Sequence, residues 1–272
     1  MPPVFGWPVY SDSNVAYPPT ISGGSWQTTL PLTNLFDRRL AKVARSTNAL
    51  ATSTTFDVDL GSARAVGLLA LPKHTLTSGA TVQWRASSVE GVFTSPIYDS
   101  GALAAWPAGA TVEDLDGLNV SHVHVPTTAQ TARYWRCSIV NTANPAGYVD
   151  LARVIIAGAW RPSTGMTLGA KLALESETER IVSDGGASFY RQKPARRSWD
   201  FTVSMLATTE SMASAFKMSR QLGSYGQFFF VFDTADAYMH ERAFLCVMRE
   251  LSAMEYPFAE YQSVAFRLVE EL

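Results

Sequence analysis

A run of apolar residues at 65–71, Ala65-Val66-Gly67-Leu68-Leu69-Ala70-Leu71, constrains this chain more than any other stretch. Just before it, Phe56, Val58 and Leu60 alternate with Asp57 and Asp59, the period-two pattern of a strand with one buried face. After a turn at Thr77-Ser78-Gly79, the alternation returns in Val82, Trp84 and Ala86. An extended segment that is apolar on both sides has to be covered on both faces, as in a strand buried in the middle of a sandwich. Residues 54–87 therefore read as the core of an antiparallel β-sandwich. They contain no evident catalyst.

Composition narrows the function classes. The 272 residues are 47% hydrophobic, enough to fill two ordinary domains, and only 17% charged, which points to surface covered by other subunits. A net charge of −2 gives no support for nucleic-acid or membrane-surface binding. Cys137 and Cys246 lie far apart without metal-ligand spacing and are expected as small buried residues in strands. The first residues have neither a basic n-region nor an apolar h-region, and no apolar run reaches the roughly 18 residues of a spanning helix. The expectation is synthesis in a reducing cytoplasm without membrane insertion.

Read in order, residues 1–28 form an extended arm. Prolines at 2, 3, 8, 18 and 19 forbid a helix, and Trp7, Tyr10, Tyr17 and Trp26 need a surface to lie on, in this chain or in a neighbour. Residues 29–160 make the first domain, with further strands at 119–125, 131–140 and 149–158 around a loop-rich stretch at 90–111. Residues 161–167 are a linker, broken by Pro162 and Gly165. Residues 168–272 form a second β domain with strands near 168–174, 199–205, 227–232, 243–248 and 264–268. Its one helix spans 209–222, with Glu210 in the first turn and Gly223 at the end.

Two resemblances follow from these segments. Asn34-Leu35-Phe36-Asp37, Phe56-Asp57-Val58-Asp59-Leu60-Gly61 and Ala132-Arg133-Tyr134-Trp135-Arg136, closed by a strand at 151–156, resemble the discoidin-like, or galactose-binding-like, jelly roll across residues 20–160. Members of that family often carry a metal-binding Asp-Gly-Asn type loop. Here Asp37-Arg38-Arg39-Leu40 lacks the glycine and the second oxygen ligand, so the resemblance does not imply calcium. Residues 166–272, with Ala195-Arg196-Arg197-Ser198-Trp199-Asp200-Phe201-Thr202-Val203, a helix, then 223–233 ending Phe228-Phe229-Phe230-Val231-Phe232-Asp233, look like distal tail and minor tail proteins of tailed phages. That likeness implies a β-sandwich that assembles into rings around the tail axis.

Several chemical motifs compete with plainer readings. His122-Val123-His124 puts two imidazoles on one strand face without an evident third ligand, and His74 and His240 are isolated. Ser214-Ala215-Phe216-Lys217 matches S-x-x-K without its partner motifs. Glu175, Glu177 and Glu179 read as a solvated edge rather than a glycosidase pair. Arg191, Lys193, Arg196 and Arg197 form the only basic cluster, read as a charged hairpin at a subunit contact, against the acidic 175–179 segment of a neighbour. Asn119-Val120-Ser121 is a glycosylation sequon that carries no weight without a secretory signal.

These readings converge on a mainly β protein: a discoidin-like sandwich followed by a second β-sandwich carrying one helix. The expected function is that of a virion structural protein of a phage tail tip or baseplate, self-assembling in a ring with other tail proteins as partners. A lectin-like carbohydrate-binding module with an accessory domain is the alternative, with a host-surface glycan as partner. No enzyme activity, cofactor, metal or nucleic acid is expected. The expected ligand residues are Asp37, Arg38, Arg45, His74 and Trp106, since loops at one end of such a sandwich offer hydrogen bonds and a stacking face. The expected assembly residues are Trp7, Tyr10, Arg196, Arg197 and Phe229. Phe228, Phe229 and Phe230 in succession cannot all point into one core. Either both faces are covered within the domain, as by the helix 209–222, or one faces another subunit. Low charge and the aromatic arm favour the second option, which puts Phe229 among the assembly residues.

Overall fold

The structure, a computed structural model, describes residues 3–12, 18–107, 109–115 and 120–272. It is mainly β, as the sequence predicts, and three of its sheets stack as layers. The outermost is a 6-stranded sheet in which Thr20–Ser22, Phe56–Val66, Gln130–Val140, Thr81–Ser87 and Tyr98–Asp99 lie side by side, with Leu103–Ala104 also on Thr81–Ser87. The middle layer is a 3-stranded sheet of Ile155–Ala157, Leu68–Leu71 and His122–His124. The third is a 7-stranded sheet of six strands from the second half of the chain and one from its N-terminus.

The middle layer explains the doubly apolar run. Leu69, Leu71 and Ile156 point into the core shared with Phe56, Val58, Trp84 and Trp135. Leu68, Ala70, Ile155 and Ala157 point the other way, into a second cluster that continues through the 7-stranded sheet and includes Phe229 and Leu245. Gly67 is where the chain leaves the outer sheet for the middle one, and an added Cβ there would lie 2.6 Å from Cβ of Ala159.

Two of the segments that carry the jelly-roll resemblance, 56–61 and 132–136, lie on strands that are hydrogen-bonded to each other. Gln130–Val140 pairs antiparallel with Phe56–Val66, and its register shifts between Ala132 and Tyr134. At that bulge Arg133 Nε and Nη2 donate to the Asp59 carboxylate at 2.7 and 2.8 Å. Arg136 grips Asp57 in the same bidentate way. Gly61, at φ 72°, turns so that its N–H reaches Asp59 Oδ1 at 2.8 Å. Asp59-Leu60-Gly61 is thus a local turn whose carboxylate also anchors the neighbouring strand.

In the second half, Arg196–Ala207 and Tyr261–Glu270 form the central ladder. The helix runs from Thr208 to Leu222 with a π-type stretch at Ser211–Phe216, buries Ala215 and Met218, and stops at Gly223 with φ 56°. Among the described residues, no helix is long and apolar enough to cross a membrane. Cys137 and Cys246 are free and buried, as expected.

The N-terminal arm turns inward. Val4–Gly6 adds as a strand to Phe228–Val231, and Phe5 also exchanges two 2.9 Å backbone hydrogen bonds with Trp160, which closes that edge of the 7-stranded sheet. The Phe5 ring is fully buried, 4.8 Å from Trp160, 5.0 Å from Phe266 and 5.3 Å from Phe230 between centroids. Trp7 is buried in the same core, so it is a joint between the two halves rather than an outward contact. Tyr17 and Asn119 lie outside the described residues.

Phe229 likewise departs from expectation. Phe228 and Phe230 lie on the face of Phe5, and Phe229 points to the opposite face. Gly6 pairs with Phe229, and a Cβ on Gly6 would lie 3.2 Å from Leu68 Cδ2, so that opposite face meets the middle sheet. All three phenylalanines are fully buried within one chain. An aspartate at 229 would therefore disrupt the core, not release a subunit.

Candidate functional site

The five expected ligand residues do not converge. Asp37 accepts from Arg39 and Lys42 at 2.8 and 3.1 Å, and the Arg39 hydrogen bonds hold its carboxyl well below the usual carboxylate range. Arg38 turns to Asp12 at 2.6 Å. Arg45 forms a bidentate pair with Asp150 and lies 4.0 Å over the Tyr148 ring. Trp106 is buried, donating its indole N–H to Leu76 O at 2.7 Å. His74 keeps some surface, but its Nε2 is sealed from water and its Nδ1 accepts from the Leu76 N–H. Burial pushes its pKa down to about 4. Of the five, Arg38 lines an open cleft.

The histidine strand is also internally engaged. His122 is buried, donating from Nδ1 to Ala104 O and accepting Trp84 Nε1–H at Nε2, an arrangement that requires the neutral ring. Desolvation brings its pKa to about 3. His124 shares a 2.5 Å hydrogen bond with Tyr98. Desolvation raises both cysteine thiols, so neither supplies a thiolate near neutral pH.

The cleft that Arg38 lines lies at the joint between the two halves and measures about 580 Å³. Tyr10, Arg38 and Arg64 come from the arm and the jelly roll, Lys217 and Tyr225 from the helix and the turn after it. Arg64 lies 5.7 Å from the Tyr10 ring, and Arg38 lies 5.6 Å from the Tyr225 ring. Tyr10 thus belongs to an internal joint, half-buried, and burial raises its phenol pKa. Nearby Arg153 is fully buried, 4.0 Å from Asp12, and its three guanidinium nitrogens lack hydrogen-bond partners among the described residues. Desolvation lowers its pKa to about 10.

The second feature is a ribbon on the far side of the 7-stranded sheet. Lys171–Glu175 pairs with Asp200 to Arg196, and the ladder continues outward as Glu179–Val182 against Ser188–Arg191. Among the described residues, the two strands of the outer segment pair only with each other. Leu172, Leu174, Ile181, Val182, Phe189 and Tyr190 are all exposed on it, up to 72% at Leu174. Among the described residues no strand pairs with the outer edge of Lys171–Glu175. A two-stranded ribbon alone is marginal in water, and an apolar, unpaired edge is a template for another chain.

The acidic and basic segments belong to this hairpin, which corrects the expected contact between subunits. Lys193 reaches Glu179 at 2.9 Å across the hairpin, and Arg249 pairs with Glu175 in the same chain. Arg196 is half-buried opposite Glu175. Arg197 is buried: it binds the Glu270 carboxylate through Nε, Nη2 and its backbone N–H, and donates Nη1 to His240 O at 2.6 Å. Nothing in its local sequence separates Arg197 from Arg196; the signal is the strand alternation that puts 197 on the face of Trp199 and Phe201.

No family model matches this chain, and no curated protein matches it in sequence. Among solved structures it is similar to a family 32 carbohydrate-binding module of a family 31 glycoside hydrolase from Clostridium perfringens, at 13% identity over 53% of this chain and 96% of that one, TM-score 0.37. The family 32 module of C. perfringens NanJ, solved with galactose, gives 16% identity over 51% and 92%, TM-score 0.38. The lectin domain of lectinolysin, solved with Lewis B antigen, gives 16% identity over 51% and 92%, TM-score 0.37. What those modules bind is a property of those proteins, and the β-sandwich assignment of this chain stands on its own strand pairings.

Proposed function

We propose that this chain is a non-catalytic structural subunit that assembles with copies of itself through the 171–191 ribbon, as a component of a phage tail tip would. The observation that carries this is the asymmetry of the 7-stranded sheet. One edge is closed by the arm and Trp160, while the other extends into a ribbon with six exposed apolar side chains. Burying such side chains in a neighbour is worth roughly 1.5–3 kcal/mol each before association costs. Sedimentation velocity over a concentration series tests it. The full chain should associate, and Phe189→Asp with Tyr190→Asp should give a folded monomer. A wild type that stays monomeric throughout, indistinguishable from the double variant, contradicts it.

The joint cleft favours a second reading, in which the molecule also takes a glycan. Two tyrosine faces beside arginine and lysine donors are the chemistry that stacks on and hydrogen-bonds a sugar. A glycan array on the full chain should show signal that Tyr225→Ala removes. No signal, or signal unchanged by that substitution, excludes this cleft.

A further inference from the structure

Gly109 and Asp114 of the first half approach the short helix Met239–Arg242 of the second at His240. Gly109 has φ +83°, and a Cβ there would collide with the Ala237 carbonyl oxygen and sit 3.1 Å from His240 Cε1. Only glycine allows that approach. It brings Asp114, in the 3-10 turn Glu113–Leu115, in front of His240 and Glu241.

His240 Nε2 lies 3.9 Å from Asp114 Oδ2 and 4.0 Å from Glu241 Oε1, and the three ligand atoms all lie within 4.8 Å of one another. The imidazole side chain is 6% exposed, and the carboxylates are 29% and 44% exposed. Thr111 fixes the Asp114 carboxylate by donating its N–H and hydroxyl to Oδ2 at 2.7 and 2.8 Å, as outer-shell groups orient metal ligands. The backbone carbonyl of His240 is pinned by Arg197. Glu113, Asp114 and Glu241 line a cleft of about 550 Å³, which gives an ion a route in. Two cations also line it, Lys193 and Arg197, and each is already paired, with Glu179 and Glu270.

We propose that Asp114, His240 and Glu241 bind one divalent transition-metal cation of the zinc type, stapling the two halves of the chain. One imidazole nitrogen with two carboxylate oxygens suits zinc better than calcium or magnesium, which take oxygen alone. Two carboxylates balance the charge of a divalent ion. Zinc ligands at about 2.0–2.2 Å in a tetrahedron lie roughly 3.4 Å apart, so each carboxylate closes on the imidazole by about half an ångström, and the two carboxylates, within 4.8 Å of each other, close by up to about 1.4 Å. The fourth position, on the cleft side, is left to water.

The test uses the full chain stripped with a chelator, then titrated calorimetrically with zinc chloride and melted with and without it. The expected result is one zinc per chain and a raised Tm. Asp114→Asn and Glu241→Gln, both on partly exposed side chains that leave the fold intact, should each weaken binding by roughly 100-fold or more. His240→Gln should abolish the zinc-dependent Tm shift. No stoichiometric binding at micromolar zinc overturns the proposal. So does binding that survives Asp114→Asn and Glu241→Gln together, which would place the ion elsewhere.

Discussion

The arm Val4–Gly6 and the 171–191 ribbon are both short, aromatic-bearing β elements at opposite edges of one sheet, yet they meet opposite fates. The arm is buried to the last side chain and its outer edge is bonded to Trp160. The ribbon leaves Phe189 and Tyr190 about two-thirds exposed, and the outer edge of its base strand Lys171–Glu175 has no strand beside it among the described residues. Apolar content alone does not separate the two. What separates them is whether another part of the same chain already covers the surface they offer. For the arm it does, because the middle sheet supplies a second apolar face.

The largest effect should come from breaking the inward half of that contrast. Phe5→Ala removes a ring packed against Trp160, Phe201, Phe228, Phe230 and Phe266, and is expected to cost about 3–5 kcal/mol in urea unfolding. A loss below about 1 kcal/mol would mean that the arm is not the joint of the molecule.

Acid sharpens the contrast next, because the interior holds neutral histidines and the ribbon has none. His74 and His122 have folded pKa values of about 4 and about 3, below the ordinary 6.5, so the unfolded chain takes up their protons first. Their full contribution is present above pH 6.5 and falls as pH drops toward 4 and 3. Near pH 5 the loss is about 2 kcal/mol for each ring. His122→Asn should flatten the pH dependence of the urea midpoint over that window; an unchanged slope would refute the assignment.

The smallest expected effect on stability lies on the ribbon. Phe189→Asp should shift the unfolding free energy by no more than about 0.5 kcal/mol, because the side chain has little to lose in the single chain. A large destabilisation would show that the ribbon packs internally, and the comparison would fail.

Much of the fold was legible because its signals are local. Alternation at 56–60 and 82–86, the Asp59-Leu60-Gly61 turn, the bulky 131–140 strand and the 209–222 helix all appear as predicted, and the doubly apolar 65–71 run fixed the need for two covers. The second cover was not legible: it is the 7-stranded sheet, more than a hundred residues away in sequence. The same distance hid the destinations of Trp7 and Phe229. Strand alternation says that Phe229 faces away from Phe228, but not whose surface it meets. The expected ligand residues were chosen for loop position, and most are spent on partners such as Asp150 or Leu76 O that sequence spacing does not reveal. Asp114 and His240 were unreadable as a pair for the same reason.

The central claim is that the ribbon, and not another surface, carries association. Hydrogen exchange across a concentration series measures that directly. At low concentration the amides of 179–191 should exchange fast, as in a ribbon paired only with itself. As the chain associates, protection should appear there and along the outer edge of 171–175, while Val4–Gly6 stays protected throughout. Association that leaves the ribbon amides fast, with new protection elsewhere, would contradict the account.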